Sequence, residues 1–257
     1  SEDTNIKSEF IVYENLNRKS SDKYEYILPK IVFQKNLENK TKLKGNFSFE
    51  SDNFIHNYNT NVYEKVNTNN LTFNSEPKTT TNGFYNNYQF IIKNSNTSSQ
   101  KSEINKEGND YYLSSLFQFN SNYPLVKKTE KYNYLFKPKI SLKLNPTHNK
   151  DLSNDNYKLN VNNIFNLDRI SSSQTLEGGV SLAYGSDYIL KQKKSNNELL
   201  SVKIANNLRL KKNEGLEKNN QLGSKTSNFF GEIKFTPLSF LTAKYELSTL
   251  NNLTDIN

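Results

Sequence analysis

The chain has 257 residues, a formal net charge of +8, a hydrophobic content of 33% and a mean hydropathy of −0.84. It has no run of about 18 consecutive apolar residues, which excludes a membrane-spanning helix but not membrane-spanning strands, since these need only one apolar face. The absence of cysteine excludes disulfide and thiol chemistry, and 16 Tyr with 16 Phe argue against a disordered chain.

Alternating apolar and polar residues predict strands through the first 93 residues. Pro29 falls inside one of these segments, so we expect a bulge or a strand end there. Residues 94–110 have almost no large apolar side chains, which predicts an exposed loop. The segments are Phe10–Tyr13, Tyr24–Phe33, Lys42–Glu50, Thr60–Val66, Asn70–Asn74 and Phe84–Lys93.

The clearest strand is Tyr132–Leu144, after the alternation resumes at Leu113–Phe119. Its even positions are aromatic, aliphatic or Pro, whereas most odd positions are Lys, Asn or Ser. It exceeds the usual ~5–6 residues of a globular strand and matches a tilted membrane strand of ~9–11 residues with overhang. Pro138 has no N–H group, which predicts a local bulge or kink.

The rest of the chain continues the pattern. Tyr157–Phe165 alternates and is predicted as a strand, the Ser-rich Asp168–Gln174 as an exposed turn, and Lys211–Lys225 as a loop. About twelve strands with no helix predict an all-β, antiparallel fold. The remaining predicted strands are Leu176–Tyr184, Leu200–Leu210, Phe229–Phe235 and Leu241–Leu247.

Apolar and polar residues alternate in this way both along the strands of a barrel wall and along those of a soluble β-sandwich. Long strands, Tyr and Phe near strand ends, and long polar loops between shorter turns favour the wall of a transmembrane barrel. The net charge is weaker evidence for function. A charge of +8 suits anionic partners, but the lysines are spread along the chain, as an A/T-rich coding sequence alone would place them.

No motif for catalysis, cofactor binding or metal binding is found. His56 and His148 lack further ligands at metal spacing, and Asp151–Asp155 lacks the Gly and Glu of a calcium loop. Neither a phosphate-binding glycine motif nor a Gly-x-Ser-x-Gly elbow occurs. Basic and aromatic residues interleave over Lys127–Lys139, but strand alternation explains this without nucleic acid.

One stretch carries a family resemblance. Asn163-Ile-Phe-Asn-Leu-Asp-Arg169, Leu176-Glu-Gly-Gly179 and Tyr184-Gly185 together resemble the signature hairpin of the LptD (OstA) family of lipopolysaccharide-assembly outer-membrane proteins. The family often has Gly and an Asp-Arg pair where this chain has Ser172, Gln174 and Thr175. Further similarity lies at Tyr123–Leu125, Leu135–Pro138, Leu144–Pro146 and Gly231–Pro237. The motif residues are Asn163, Phe165, Arg169, Glu177, Gly179, Tyr184 and Gly185.

The resemblance implies a non-enzymatic, cofactor-free barrel in the cell outer membrane. Its partners would be lipopolysaccharide, a lipoprotein plug (LptE-like), a periplasmic bridge protein (LptA-like) and the lipid bilayer, and no nucleic acid. Residues 1–257 would form part of one barrel domain, an open segment without the N-terminal periplasmic domain and the last strands. We expect unpaired edges, and Asn251–Asn257 has no terminal aromatic residue. The alternatives are another outer-membrane barrel, such as a porin or receptor, or a soluble β-rich surface protein.

Strand parity predicts which side chains face lipid and which face the lumen. Arg169 and Glu177 would either line the lumen or a gate, or fix the hairpin register through a charge pair or backbone hydrogen bonds. Lys137, Lys139 and Lys143 would form a ladder of positive charge along one strand. These three would face the lumen, as would Lys203, Arg209 and Lys244. The lipid-facing set is Tyr134, Phe136, Ile140, Leu142, Val202, Ile204, Ile233 and Tyr245.

Overall fold

The computed structural model describes residues 3–59, 61–103, 105–238 and 240–250. Thirteen strands and one short 3-10 turn, Ser20–Lys23, make up its regular structure. The strands are β1 (Thr4–Glu14), β2 (Tyr24–Leu37), β3 (Gly45–Tyr58), β4 (Val62–Ser75), β5 (Lys78–Thr79), β6 (Tyr85–Gln100), β7 (Gly108–Asn122), β8 (Leu125–Lys128), β9 (Tyr132–Asn145), β10 (Gly179–Gln192), β11 (Glu198–Arg209), β12 (Phe229–Leu238) and β13 (Leu241–Thr249).

Hydrogen bonding follows the order β1-β2-β3-β4-β6-β7-β9-β10-β11-β12-β13, with β5 paired to β6 and β8 to β9. The ladders whose registers are resolved are antiparallel. The sheet is open in the described part of the chain, since this path has β1 at one end and β13 at the other. The predicted all-β, antiparallel class is therefore confirmed. In the described ranges no helix is long and apolar enough to cross a membrane.

The chain divides into two compact units. The first unit comprises Ser1–Ser75, Phe90–Ser115 and Ser172–Leu176, and the second comprises Glu76–Gln89, Leu116–Ser171 and Glu177–Asn257. The strands of the second unit place mostly apolar side chains on one face and mostly polar side chains on the other. In the second unit we call these the apolar face and the polar face.

The apolar face of the second unit carries exposed side chains from β9 to β13. Phe136, Ile140 and Leu142 on β9 are exposed, as are Ile204 and Ile233. The polar face carries Ser141, Lys143 and Asp187, which are all buried. The predicted lipid-facing and lumen-facing sets thus lie on opposite faces. Contact with lipid or with a lumen stays a prediction.

Several predicted boundaries are wrong. Residue 60 lies outside the described residues, but the rest of the predicted strand Thr60–Val66 from Val62 onward belongs with Asn70–Asn74 to one strand, β4. Residues 94–110 are not a continuous loop, because β6 extends to Gln100 and β7 begins at Gly108. The residues that hide this extension are Ser95, Thr97 and Ser99, which alternate and are buried, but do so with small hydroxyl side chains. A face lined by Ser and Thr gives no apolar periodicity, so the sequence pattern misses it.

Of the two bulges predicted at Pro29 and Pro138, the structure contains only the first. The register between β2 and β3 shifts between Ile27 and Lys30, so the bulge expected at Pro29 is confirmed. The bulge expected at Pro138 is wrong, because β9 pairs with β10 without interruption through Pro138. On the other side of β9, pairing with β7 ends at Lys139 and pairing with β8 begins at Phe136. Pro138 therefore occupies a gap between two neighbouring strands, where a missing N–H group is tolerated.

The prediction that Tyr157–Phe165 is a strand is also wrong. Asp168–Gln174 is non-strand, as predicted, but it is not an exposed turn throughout, because Arg169 and Ile170 are buried. These residues belong to an irregular connection between β9 and β10, residues 146–178, which we call the connecting segment. Its apolar side chains alternate locally because they pack into a core, not because they line a sheet. That core contains Leu152, Leu159, Val161, Ile164, Ile170, Ala183, Ala205, Leu216, Leu222 and Phe230.

Candidate functional site

Asparagine side chains explain why the connecting segment turns at residue 160. The Asn160 side-chain oxygen accepts hydrogen bonds from the backbone N–H groups of Asn162 (2.9 Å) and Asn163 (3.1 Å). The Asn163 side-chain oxygen in turn accepts one from the backbone N–H of Asn160 at 2.9 Å. This reciprocal pair stabilises a tight turn in the same way as a capping box, and competes with a strand.

Polar side chains from the second unit's strands hold this segment through its backbone carbonyl groups. Gln118 on β7 donates to the carbonyl oxygen of Phe165 at 2.8 Å. Lys143 on β9 donates to the carbonyl oxygens of Asn166 and, at 3.1 Å, Leu167. Since an irregular backbone has no neighbouring strand to satisfy its carbonyl groups, these donors replace the missing ladder.

Within the first unit, Lys93 on β6 contacts the segment in the same manner. Its ammonium group donates to the carbonyl oxygen of Ser172 and lies 3.4 Å from that of Thr175. Each unit therefore uses a buried lysine to bind backbone oxygens in its own part of the connecting segment.

An ionic cluster fixes the end of the connecting segment. Arg169 forms a bidentate pair with Glu177, at 2.6 Å (Nε–Oε2) and 2.7 Å (Nη2–Oε1). Arg209, the last residue of β11, donates to the same carboxylate and to the carbonyl oxygen of Gly178. The side chains of Arg169, Arg209 and Glu177 are 0%, 1% and 4% exposed. One buried carboxylate thus compensates two buried guanidinium groups, which makes each member dependent on the others.

The rest of this cluster comes from β10 and β11. Arg169 donates to the side-chain oxygen of Asn207 at 2.9 Å and to the hydroxyl of Ser181 at 3.0 Å. Its third contact is the carbonyl oxygen of Ile164 at 3.2 Å. The Arg169 and Glu177 pair therefore binds the connecting segment to β10 and β11. A role in lining a lumen or gate stays a prediction.

The charge state of Glu177 follows from these neighbours. Burial alone would raise the pKa of its carboxyl group, but the Arg169 guanidinium, its hydrogen bonds, and the charges of Lys143 and Arg209 hold the pKa well below its ordinary value of 4.5. The folded chain therefore binds this proton more weakly than the unfolded chain does.

We expect the cluster's stabilisation to be fully present above about pH 5 and to be lost progressively as the pH falls below 4.5, the ordinary value. The sign follows because the unfolded state takes up the Glu177 proton first. Amide exchange of residues 160–178, measured between pH 3 and pH 7, checks this. A Glu177→Gln variant should lose this pH dependence, and an unchanged acid response in that variant would contradict the assignment.

The remaining residues of the family motif do not belong to the ionic cluster, and each has a different environment. The Phe165 ring lies 4.4 Å from the ammonium group of Lys139, and Asn163 donates to the carbonyl oxygen of Lys158 at 2.8 Å. Gly179 has a φ of +90°, which favours glycine. Tyr184 is exposed on the apolar face, away from the ionic cluster.

Gly185 allows β10 and β11 to approach closely. A Cβ atom there would lie 2.2 Å from the carbonyl oxygen of Ile204 and 3.0 Å from the Cα of Ala205. Both are backbone atoms of the partner strand, so only glycine fits.

The three lysines proposed as a ladder have two different environments. Lys137 and Lys139 both pair with Asp187, at 3.1 Å and 2.7 Å. Lys143 instead binds the connecting segment, as described above. The sequence pattern does not identify Asp187 as their partner. It lies directly opposite Lys137 in the register of β9 and β10, a neighbour that parity alone does not identify.

Asp187 also belongs to a line of charges across the polar face. Register places Lys137, Asp187, Lys203, Glu232 and Glu246 side by side on five successive strands. Lys203 contacts Glu232 at 3.0 Å, and Lys244 contacts Glu232 and Glu246 at 3.1 Å and 2.6 Å. We call these residues, with Lys139 and Lys244, the charge row. The charge row has four lysines and three carboxylates, so its net charge is +1. It runs across the strands, whereas the predicted ladder runs along one strand.

Metal-ligand geometry is not found in the described ranges, where no group of three or more His, Cys, Asp or Glu residues could hold an ion. His56 contacts Glu25 and Glu64 at 2.9 Å and 3.3 Å.

A family model described as LPS transport system D (LptD) matches residues 1–254. No curated protein matches the chain. The family consists of outer-membrane β-barrel proteins of lipopolysaccharide transport and assembly, in agreement with the all-β fold and the hairpin motif. Since the match covers nearly the whole sequence, the chain belongs to the LptD family.

Proposed function

We propose that this chain forms part of the wall of a barrel that receives lipopolysaccharide from a periplasmic bridge protein (LptA-like) and passes it to the outer leaflet. A lipoprotein (LptE-like) would plug the same barrel. The family match is the observation that carries this proposal. The open sheet supports a wall segment of one barrel domain, because strand edges in lipid must be paired by further strands.

The two faces of the second unit suit this role. Exposed Phe, Ile and Leu side chains on the apolar face are compatible with acyl chains. The charge row on the other face offers lysines to an anionic head group, and its slight basic excess would raise the local concentration of phosphorylated sugars. No bond is made or broken in this transport.

Co-purification tests the transport role against other barrels. The full-length protein, extracted in mild detergent, should retain a lipoprotein partner and lipopolysaccharide at stoichiometric amounts. A folded, heat-modifiable barrel that retains neither would support a porin or receptor. Migration insensitive to heating would favour a soluble β-rich protein.

Lys137 and Lys139 are the residues with which to test charge guidance, because both pair with Asp187 in the charge row, whereas Lys143 binds backbone carbonyl oxygens of the connecting segment. We expect a Lys137→Gln and Lys139→Gln double variant to assemble but to deliver lipopolysaccharide to the cell surface severalfold more slowly. The reason is that Asp187 would then face the passing anion with less compensation. Surface lipopolysaccharide is measured by accessibility to an externally added modifying enzyme.

The matched control is Lys127→Gln with Lys128→Gln on β8, where both residues are exposed. It removes the same charge outside the charge row and should leave delivery unchanged. Normal delivery by the assembled Lys137 and Lys139 variant would reject charge guidance, although the family membership would stand.

A further inference from the structure

A pocket of about 540 Å³ lies at the ends of three strands of the first unit. Its lining includes Tyr13 near the end of β1, Tyr24 at the start of β2 and Tyr58 at the end of β3. The connection between β1 and β2 contributes Arg18, and we call this cavity the rim pocket. Its volume is within the range of roughly 300–1,000 Å³ that small-molecule sites occupy.

Two of the tyrosine rings are fixed from one side. The His56 ring stacks on Tyr58 with centroids 4.3 Å apart and an angle of 22° between the planes. The ammonium group of Lys23 lies 5.7 Å from the centroid of Tyr24. The Tyr58 hydroxyl donates to the buried carboxylate of Glu64 at 3.2 Å. These rings are therefore held in place before any ligand arrives, which lowers the entropic cost of binding.

The charges of the lining favour a neutral ligand. Glu14, Asp22 and Glu25 outnumber Arg18 and Lys23 by one, so a phosphate group would be repelled. A cation gains little, because Glu14 already pairs with Lys23 and Glu25 contacts His56 at 2.9 Å. Aromatic rings beside paired carboxylates, an amide and a guanidinium group suit a ligand with one C–H face and many hydroxyl groups.

We propose that the rim pocket binds a sugar ring of the saccharide part of lipopolysaccharide. This rests on the proposed transport function and adds that the saccharide is recognised separately from the phosphates. The ring faces of Tyr13 and Tyr24 pack against the C–H face of the sugar. Its hydroxyl groups exchange hydrogen bonds with Arg18, Glu25 and Asn59.

The test uses the folded full-length protein in detergent and the oligosaccharide that mild acid releases from the host's lipopolysaccharide. Titration calorimetry should show saturable binding, weakened at least tenfold by Tyr13→Ala and by Arg18→Gln. Tyr13 and Arg18 are exposed, and Arg18→Gln keeps folding intact even if loss of the tyrosine does not. Tyr111→Ala on β7, a 75% exposed tyrosine outside the pocket, is the matched control and should bind normally.

Inorganic phosphate and tetramethylammonium serve as an anion probe and a cation probe, and neither should compete with the oligosaccharide. Absence of oligosaccharide binding, equal binding by wild type and both pocket variants, or competition by either probe would overturn the proposal. Failure of the transport function has a different signature. Surface lipopolysaccharide would then be normal in cells depleted of the protein, whatever the purified protein binds.

Discussion

Glu177→Ala is expected to destabilise the folded chain by about 3–5 kcal/mol, the usual cost of removing one partner from a buried ion pair. The reason is that the substitution leaves the guanidinium groups of Arg169 and Arg209 buried at 0% and 1% exposure without a carboxylate. The free energy of unfolding in urea, measured for protein refolded into lipid vesicles, checks this.

The matched control is Glu198→Ala, which removes the same side chain from an exposed pair. Glu198 lies 3.6 Å from Lys234, and both side chains are about a third or more exposed. Such pairs contribute about 1 kcal/mol or less, so the control should be nearly neutral. Equal losses in the two variants would show that the buried cluster does not hold the connecting segment.

Gly185→Ala is expected to cost about 3 kcal/mol, the upper part of the range for overpacking. The new Cβ would lie 2.2 Å from the Ile204 carbonyl oxygen, and that atom belongs to a backbone which cannot rotate away. We expect β10 and β11 to separate locally, with faster amide exchange at Tyr184 and Ala205. Thermal unfolding of the refolded protein measures the loss.

Gly231→Ala supplies the comparison for this prediction. At this position the new Cβ would first meet the Leu247 side chain, at 3.0 Å, and a side chain can rotate. The same chemical change should therefore cost distinctly less. A Gly231 variant as unstable as the Gly185 variant would mean that the close approach of β10 and β11 is not special.

The sequence predicts β9 well for a physical reason. Its apolar and basic residues are chemically far apart, so a period of two is visible from Tyr132 to Leu144. The extension of β6 beyond Lys93 is invisible, because its buried positions are Ser and Thr. The hydrophobic periodicity of a sequence reports how much the two faces of a strand differ in polarity. It does not detect a strand whose two faces are both polar.

The strand prediction for the connecting segment is wrong for the opposite reason, because a visible alternation there does not come from a strand. Leu159 and Val161 alternate as a strand would, yet both are buried in the core of the second unit. The asparagines at 160 and 163 are the sequence signal for a turn here, since such a pair favours a capped turn over a strand.

One part of the ionic cluster can be predicted from the sequence, and the other part cannot. Arg169 and Glu177 are eight residues apart and belong to one motif, so their pairing could be proposed from sequence. Arg209 joins the same carboxylate from 32 residues away, at the end of another strand. Only the register of β10 and β11 brings it there, and register is a property of the folded sheet.

The transport role is tested most directly by the amount of newly made lipopolysaccharide that reaches the cell surface when the protein is depleted. We expect surface lipopolysaccharide to fall to background, with the molecule accumulating inside the outer membrane, and to recover when the wild-type gene is restored. Normal surface lipopolysaccharide in cells verified to lack the protein would contradict the proposed role in transport.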